Sequence, residues 1–128
     1  MKLRNLLSFG TGIAASLAFS TMAHAAVLGV YDIKITSKAG EGEWLQVNEV
    51  IAISSLTGTD VALTSAGATA TATAPWDASS AAEKAIDGLI TTTNNTFYHG
   101  SNQYNSFLNI SLAGPTDLDS LTIVGRLI

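Results

Sequence analysis

Cysteine is absent from this 128-residue chain, which excludes disulfides, thiolate nucleophiles and thiolate zinc sites. Basic residues are scarce as well, six Lys and Arg against ten Asp and Glu. Phosphate binding rests on clustered Lys and Arg that release counterions, so nucleic acid is not an expected partner. No Gly-x-Ser-x-Gly nucleophile motif occurs, and beyond His24 the only histidine is His99. Asp87, His99 and Ser101 supply the residue types of a triad, but nearness in sequence says nothing about triad geometry. The expectation is a protein that is not an enzyme. Long apolar runs are also missing, apart from one at the N-terminus.

That run is informative. Residues 1–25 open with Lys2 and Arg4, continue through an apolar stretch from Leu6 to Phe19 and end at Ala23-His24-Ala25, the small-x-small pattern of a secretory signal peptide. Gly10, Thr11, Gly12, Ser16, Ser20 and Thr21 dilute the stretch below the roughly 20 mostly apolar residues of a spanning helix. The expected product is residues 26–128, secreted to the extracellular space or cell surface, with no membrane span after cleavage. It is long enough for one small domain and not for two. Four basic residues then face ten carboxylates, a formal charge of −6. Such a surface suits divalent cations or neutral ligands. Without disulfides, stability must come from apolar burial, a bound metal or a partner.

Short strands punctuated by turns run through the remainder. Val30–Thr36 alternates Tyr31, Ile33 and Ile35 against polar neighbours, the period of a half-buried strand. After a turn over Ser37–Glu43, Trp44–Ile53 places Leu45, Val47, Ile51 and Ile53 on one face, which Glu49 interrupts. An acidic residue in that register is either solvated near a strand end or paired with a cation. Val61–Leu63 is short and strand-like, and Ala68–Ala74 alternates Ala and Thr until Pro75 stops it. Ser80 with Glu83 has capping-box spacing and Gly88 stands where a short helix would stop, so two helical turns or none are expected there. Leu89–Asn105 reads as a long functional loop. Two strands follow, Phe107–Leu112 and Asp119–Leu127. The pattern argues for an all-β sandwich or barrel.

Two motifs narrow this. Ser80-Ala-Ala-Glu-Lys-Ala-Ile-Asp-Gly88 is followed by Thr96-Phe-Tyr-His-Gly-Ser101, and together they resemble the discoidin or coagulation-factor type C domains, nearest to the fucose-binding lectin (fucolectin) branch. The resemblance implies a jelly-roll β-sandwich of the galactose-binding-like type with a structural Ca²⁺. It carries over to this chain as the side chains of Asp87 and Ser101 and the carbonyls of Lys84 and Leu89. The family's remaining ligands lie on a final strand of pattern Leu-x-apolar-x-Glu-Val, which recurs here as Leu45-Gln-Val-Asn-Glu-Val50. Glu49 and the carbonyl of Asn48 would then close the shell, in a sandwich that is circularly permuted and truncated at its C-terminal end, or cut across two tandem domains. From the residues alone, Asp87 could equally stabilise an Asp-Gly turn and Ser101 be an ordinary loop residue.

For the sugar, the resemblance implies Arg126, which matches one of two arginines, and Tyr104, which stands where the family has histidine. Arg offers a planar fork of donors to vicinal hydroxyls. Trp76, Phe97, Tyr98 and Tyr104 could form an apolar platform for a sugar ring or pack as core and rim, and His99 could be a ligand or structural. The expected function is a secreted, lectin-like module that binds glycans or cell-surface saccharides. The alternatives are an adhesive or structural surface module, and a truncated fragment without independent activity.

Overall fold

The computed structural model describes residues 26–37, 42–93 and 96–127. Residues 1–25, expected above to be a signal segment, lie outside them, as do most of the Ser37–Glu43 turn, two residues of the long loop and Ile128. Among the described residues seven strands form: β1 (Val27–Thr36), β2 (Gly42–Glu43), β3 (Gln46–Ser54), β4 (Thr69–Ala72), β5 (Tyr98–His99), β6 (Gln103–Tyr104) and β7 (Phe107–Gly125). Every pairing is antiparallel. The all-β expectation holds.

One strand organises the main sheet. The sequence suggested two strands, Phe107–Leu112 and Asp119–Leu127, whereas β7 runs through both as a single 19-residue strand. Its first part lies between β1 and β4, with Ser111 paired to Asp32 on one side and to Thr69 on the other. Its second part pairs with β3, from Ser54↔Leu118 to Val47↔Gly125, and β5 adds beyond β3. Pro115 has no N–H for a ladder, and it sits where the β1 register breaks, between Asp32↔Ser111 and Val30↔Thr116. The strand thus continues past the proline at the cost of a bulge.

A second bulge corrects the reading of β3. Period-two reasoning put Val47, Ile51 and Ile53 on the core face, but the register shifts between Val47 and Glu49. Val47, Val50 and Ala52 are therefore the core residues, and Ile51 and Ile53 are only half-buried. With Leu108, Ile110, Leu118 and Ile33 they make the centre of the core.

The segment expected as a strand at Val61–Leu63 is a loop that enters a 3₁₀ turn at Thr64–Ala66. The segment from Asp77 to Gly88 forms two short 3₁₀ turns, Ala78–Ser80 and Ala82–Ala85. Asp77, rather than Ser80, caps the first of them, and the second starts at Ala81 without a side-chain cap. The Asp77 carboxylate accepts from the Ser79 amide at 2.9 Å and from the hydroxyls of Ser79 and Ser80 at 2.6 and 2.8 Å, so Ser80 is buried as a donor. The Ala82–Ala85 turn packs on β3, β4 and β5. The Ala/Thr alternation of β4 allows this, because Ala70 presents little bulk on the inner face. Among the described residues, no helix is long and apolar enough to cross a membrane.

Candidate functional site

The first constellation grows from the β3 bulge. Glu49 follows it and is only 2% exposed, facing the turn Asp87-Gly88. Gly88 takes a left-handed φ of +82°, a conformation glycine adopts without strain. Its amide donates to Glu49 Oε2 at 3.1 Å, and the Leu89 amide donates to Asp87 Oδ1 at 3.0 Å. Next to Glu49, the fully buried Asn48 grips Thr91 at both backbone groups: its Nδ2 donates to the Thr91 carbonyl, and its Oδ1 accepts from the Thr91 amide at 3.0 Å. Two adjacent residues of one strand thereby hold the loop from Gly88 to Thr91.

One atom of this arrangement is unsatisfied. Glu49 Oε1 is buried and has no hydrogen-bond partner, which is expensive for a carboxylate. Burial, then the negative charge of Asp87 and that of Asp60, raise the Glu49 carboxyl to about 7 against the pull of the Gly88 and Leu89 amides. Lys84 offsets part of the local charge from outside, 3.6 Å from Asp87 Oδ2. A buried oxygen with no donor, beside a second carboxylate, is chemically suited to a cation with oxygen ligands. Among the described residues no group of three or more His, Cys, Asp or Glu gathers as for a metal. The donor set here therefore has two carboxylates and needs carbonyls or hydroxyls for the rest.

The six expected ligands are distributed unevenly. Glu49 and Asp87 come together, from sites 38 residues apart in sequence. Asn48, Lys84 and Leu89 lie in the same neighbourhood through the contacts above. Ser101 is held elsewhere, its amide and its hydroxyl donating to the Ala74 carbonyl at 2.9 and 3.0 Å.

A second constellation sits where three segments converge on β5. Trp44 precedes β3, Trp76 follows β4 and His99 is in β5. Their rings pack with centroids 4.5 Å apart for Trp44 and Trp76, 5.0 Å for Trp44 and His99, and 5.9 Å for Trp76 and His99. Backbone bonds lock the three segments: Trp76 N–H to the His99 carbonyl at 2.7 Å and Gly100 N–H to the Leu45 carbonyl at 2.9 Å. The side chains of Gln46 and His99, paired in register across β3 and β5, meet with Nε2 atoms 2.8 Å apart. Burial and the positive charge of Arg126 hold the His99 imidazole below its ordinary value, opposed by Asp77, so the neutral ring accepts from the Gln46 amide. Arg126 follows Gly125, whose backbone is paired with Val47 next to Gln46, and its charge acts on His99.

This arrangement differs from the four-ring platform considered from sequence. Phe97 and Tyr98 are buried, and the Tyr98 hydroxyl lies 3.3 Å from Thr73 Oγ1. Tyr104 is 70% exposed on the small β2–β6 ladder, opposite Gly42. Of the four rings only Trp76 joins both Trp44 and His99 in the cluster. Trp44 and Gln46 were not foreseen, because only the strand register brings them to His99. The triad residue types are likewise engaged separately: His99 with Gln46, Ser101 with Ala74, and Asp87 with Leu89 and Lys84. Compared with models of protein families, with curated proteins and with solved structures, the chain matches none.

Proposed function

We propose that the protein is a secreted, non-catalytic carbohydrate-binding module, of galactose-binding-like jelly-roll type, whose ligand loop is ordered by a structural Ca²⁺. The observation that carries this reading is the buried, unpartnered oxygen of Glu49 facing Asp87 across a loop gripped by Asn48. In this reading Glu49 and Asp87 supply carboxylate oxygens, and backbone carbonyls of the 84–89 segment supply others. Bound calcium would neutralise two carboxylates that otherwise repel, and so fix the loop. Arg126 and the neighbouring rings would meet the sugar.

The test is thermal unfolding of the purified protein in calcium and in chelator. At a ligand concentration one hundred times the dissociation constant, binding to the native state alone adds about 2.7 kcal/mol. Each kcal/mol moves the midpoint of a domain this size by roughly 4–8 °C, so a rise of about 10–20 °C is expected. Asp87→Ala should abolish the rise. An unchanged calcium response in that variant, or none in the parent, removes the metal from the reading.

A surface role without glycan binding is favoured by one observation. Leu121 and Ile123 on β7 are 47% and 48% exposed although their β3 partners, Ala52 and Val50, are core residues. A blank glycan array together with concentration-dependent association on a sizing column would support that second reading.

A further inference from the structure

We propose that the glycan-binding surface is the Trp44–Trp76 ring pair with its Gln46–His99–Arg126 rim, and that its ligand is a neutral pyranose that lays a C–H face on Trp76. The proposal rests on the carbohydrate reading above and adds to it where the sugar sits and of what class it is.

Both tryptophans of the chain are at this one place, 40% and 55% exposed. Two adjacent rings left half in water offer contiguous apolar area that packing within the domain has not used. Trp44 and Trp76 are tilted by 37° against each other, and each also contacts the His99 ring. Trp76 is the more exposed of the two indoles and so has more ring area to offer a ligand. The site is rigid before ligand arrives. Its backbones are joined by the Pro75↔Gly100 bridge, the Trp76–His99 bond and the Gly100–Leu45 bond, so little conformational entropy remains to be lost on binding.

The chemistry around the rings selects the ligand. An aromatic face is electron-rich, and the axial C–H groups on one side of a pyranose are its natural complement. Gln46 and Arg126 present amide and guanidinium groups suited to hydroxyls at the ring edge. A nucleobase would also stack, but a chain of four basic residues beyond the leader lacks the cations a phosphate needs. Acidic sugars are disfavoured by the same charge balance. Neutral hexoses and 6-deoxyhexoses remain. Tyr104, which the family resemblance would put at the sugar, lies on the separate β2–β6 ladder.

The experiment titrates the purified protein in calcium with methyl β-galactopyranoside, methyl α-fucopyranoside, methyl β-glucopyranoside and sialyllactose, reading tryptophan emission and calorimetric heat, alongside a glycan array. At least one neutral glycoside should bind and shift the emission. Trp76→Ala should weaken it about tenfold or more, the loss expected when a stacked ring is removed, with cooperative unfolding retained. Trp76→Phe should recover part of the affinity, and Tyr104→Ala should leave it unchanged. Undiminished binding in both Trp76→Ala and Trp44→Ala overturns this site and leaves the carbohydrate reading standing. A preference for sialyllactose overturns the ligand class. No binding on the array or in solution overturns both the site and the reading it rests on.

Discussion

Glu49 carries the largest electrostatic cost at the scale of a single residue. Its carboxyl is raised from 4.5 to about 7, first by burial and then by Asp87. The proton is therefore bound more tightly in the folded state than in the unfolded one. That contribution to stability is complete below pH 4.5 and is lost as pH rises through 7, by an amount on the order of 3 kcal/mol once the group is fully ionised. In chelator the protein should lose stability between pH 4.5 and 8, measured by urea denaturation at a series of pH values. Glu49→Gln should flatten that profile and be more stable than the parent at pH 8 in chelator. A parent whose stability is level over this range would show that Glu49 is hydrated. That Glu49 breaks an apolar pattern was legible in the sequence; that its second oxygen has no donor was not, because this depends on which amides the 87–91 turn aims at it.

Among the elements, the β3 bulge and the loop it holds decide most. A shift of one residue between Val47 and Glu49 moves Val50 and Ala52 into the core, and it puts Asn48 and Glu49 in reach of Thr91 and Gly88. Asn48→Ala removes both bonds to Thr91 and should cost about 1–3 kcal/mol, since each was made away from water. Hydrogen exchange at the Thr91 amide should speed up in that variant while core amides such as Ile110 slow or speed only with global stability. An unchanged Thr91 amide would mean that other contacts hold the loop. The sequence pattern located β1 and β3 to within a few residues, because alternation survives wherever one face is buried, and left Ala68–Ala74 open between a small-residue strand and an edge loop. It missed the continuity of β7, since Gly114-Pro115 reads as a break when the bulge opposite is unknown. It also placed the 3₁₀ cap three residues late, because Ser80 and Asp77 are both competent caps and only the hydrogen bonds distinguish them.

Across the whole molecule, burial is uneven along β7. Leu108 and Ile110 are fully enclosed between β1, β4 and the core, whereas Leu121 and Ile123 stand half in water, Leu121 lining a groove of about 400 Å³ together with Val27, Ile33 and Leu118. Leu108→Ala should therefore cost about 2–5 kcal/mol and Ile123→Ala about 1 kcal/mol or less. Chemical denaturation of the two variants checks the ratio, and equal costs would mean that Ile123 is covered in solution. The sequence by itself determined the β class, the absence of thiol chemistry and the acidic balance, because period-two burial and composition are local or additive properties. It also marked Asp87, Gly88 and Glu49 as unusual. Only the tertiary structure decided that Glu49 meets Asp87 and that Trp44, Gln46, Trp76, His99 and Arg126 converge. Those meetings depend on strand order and register across long sequence separations, to which each residue's neighbours in the chain contribute nothing.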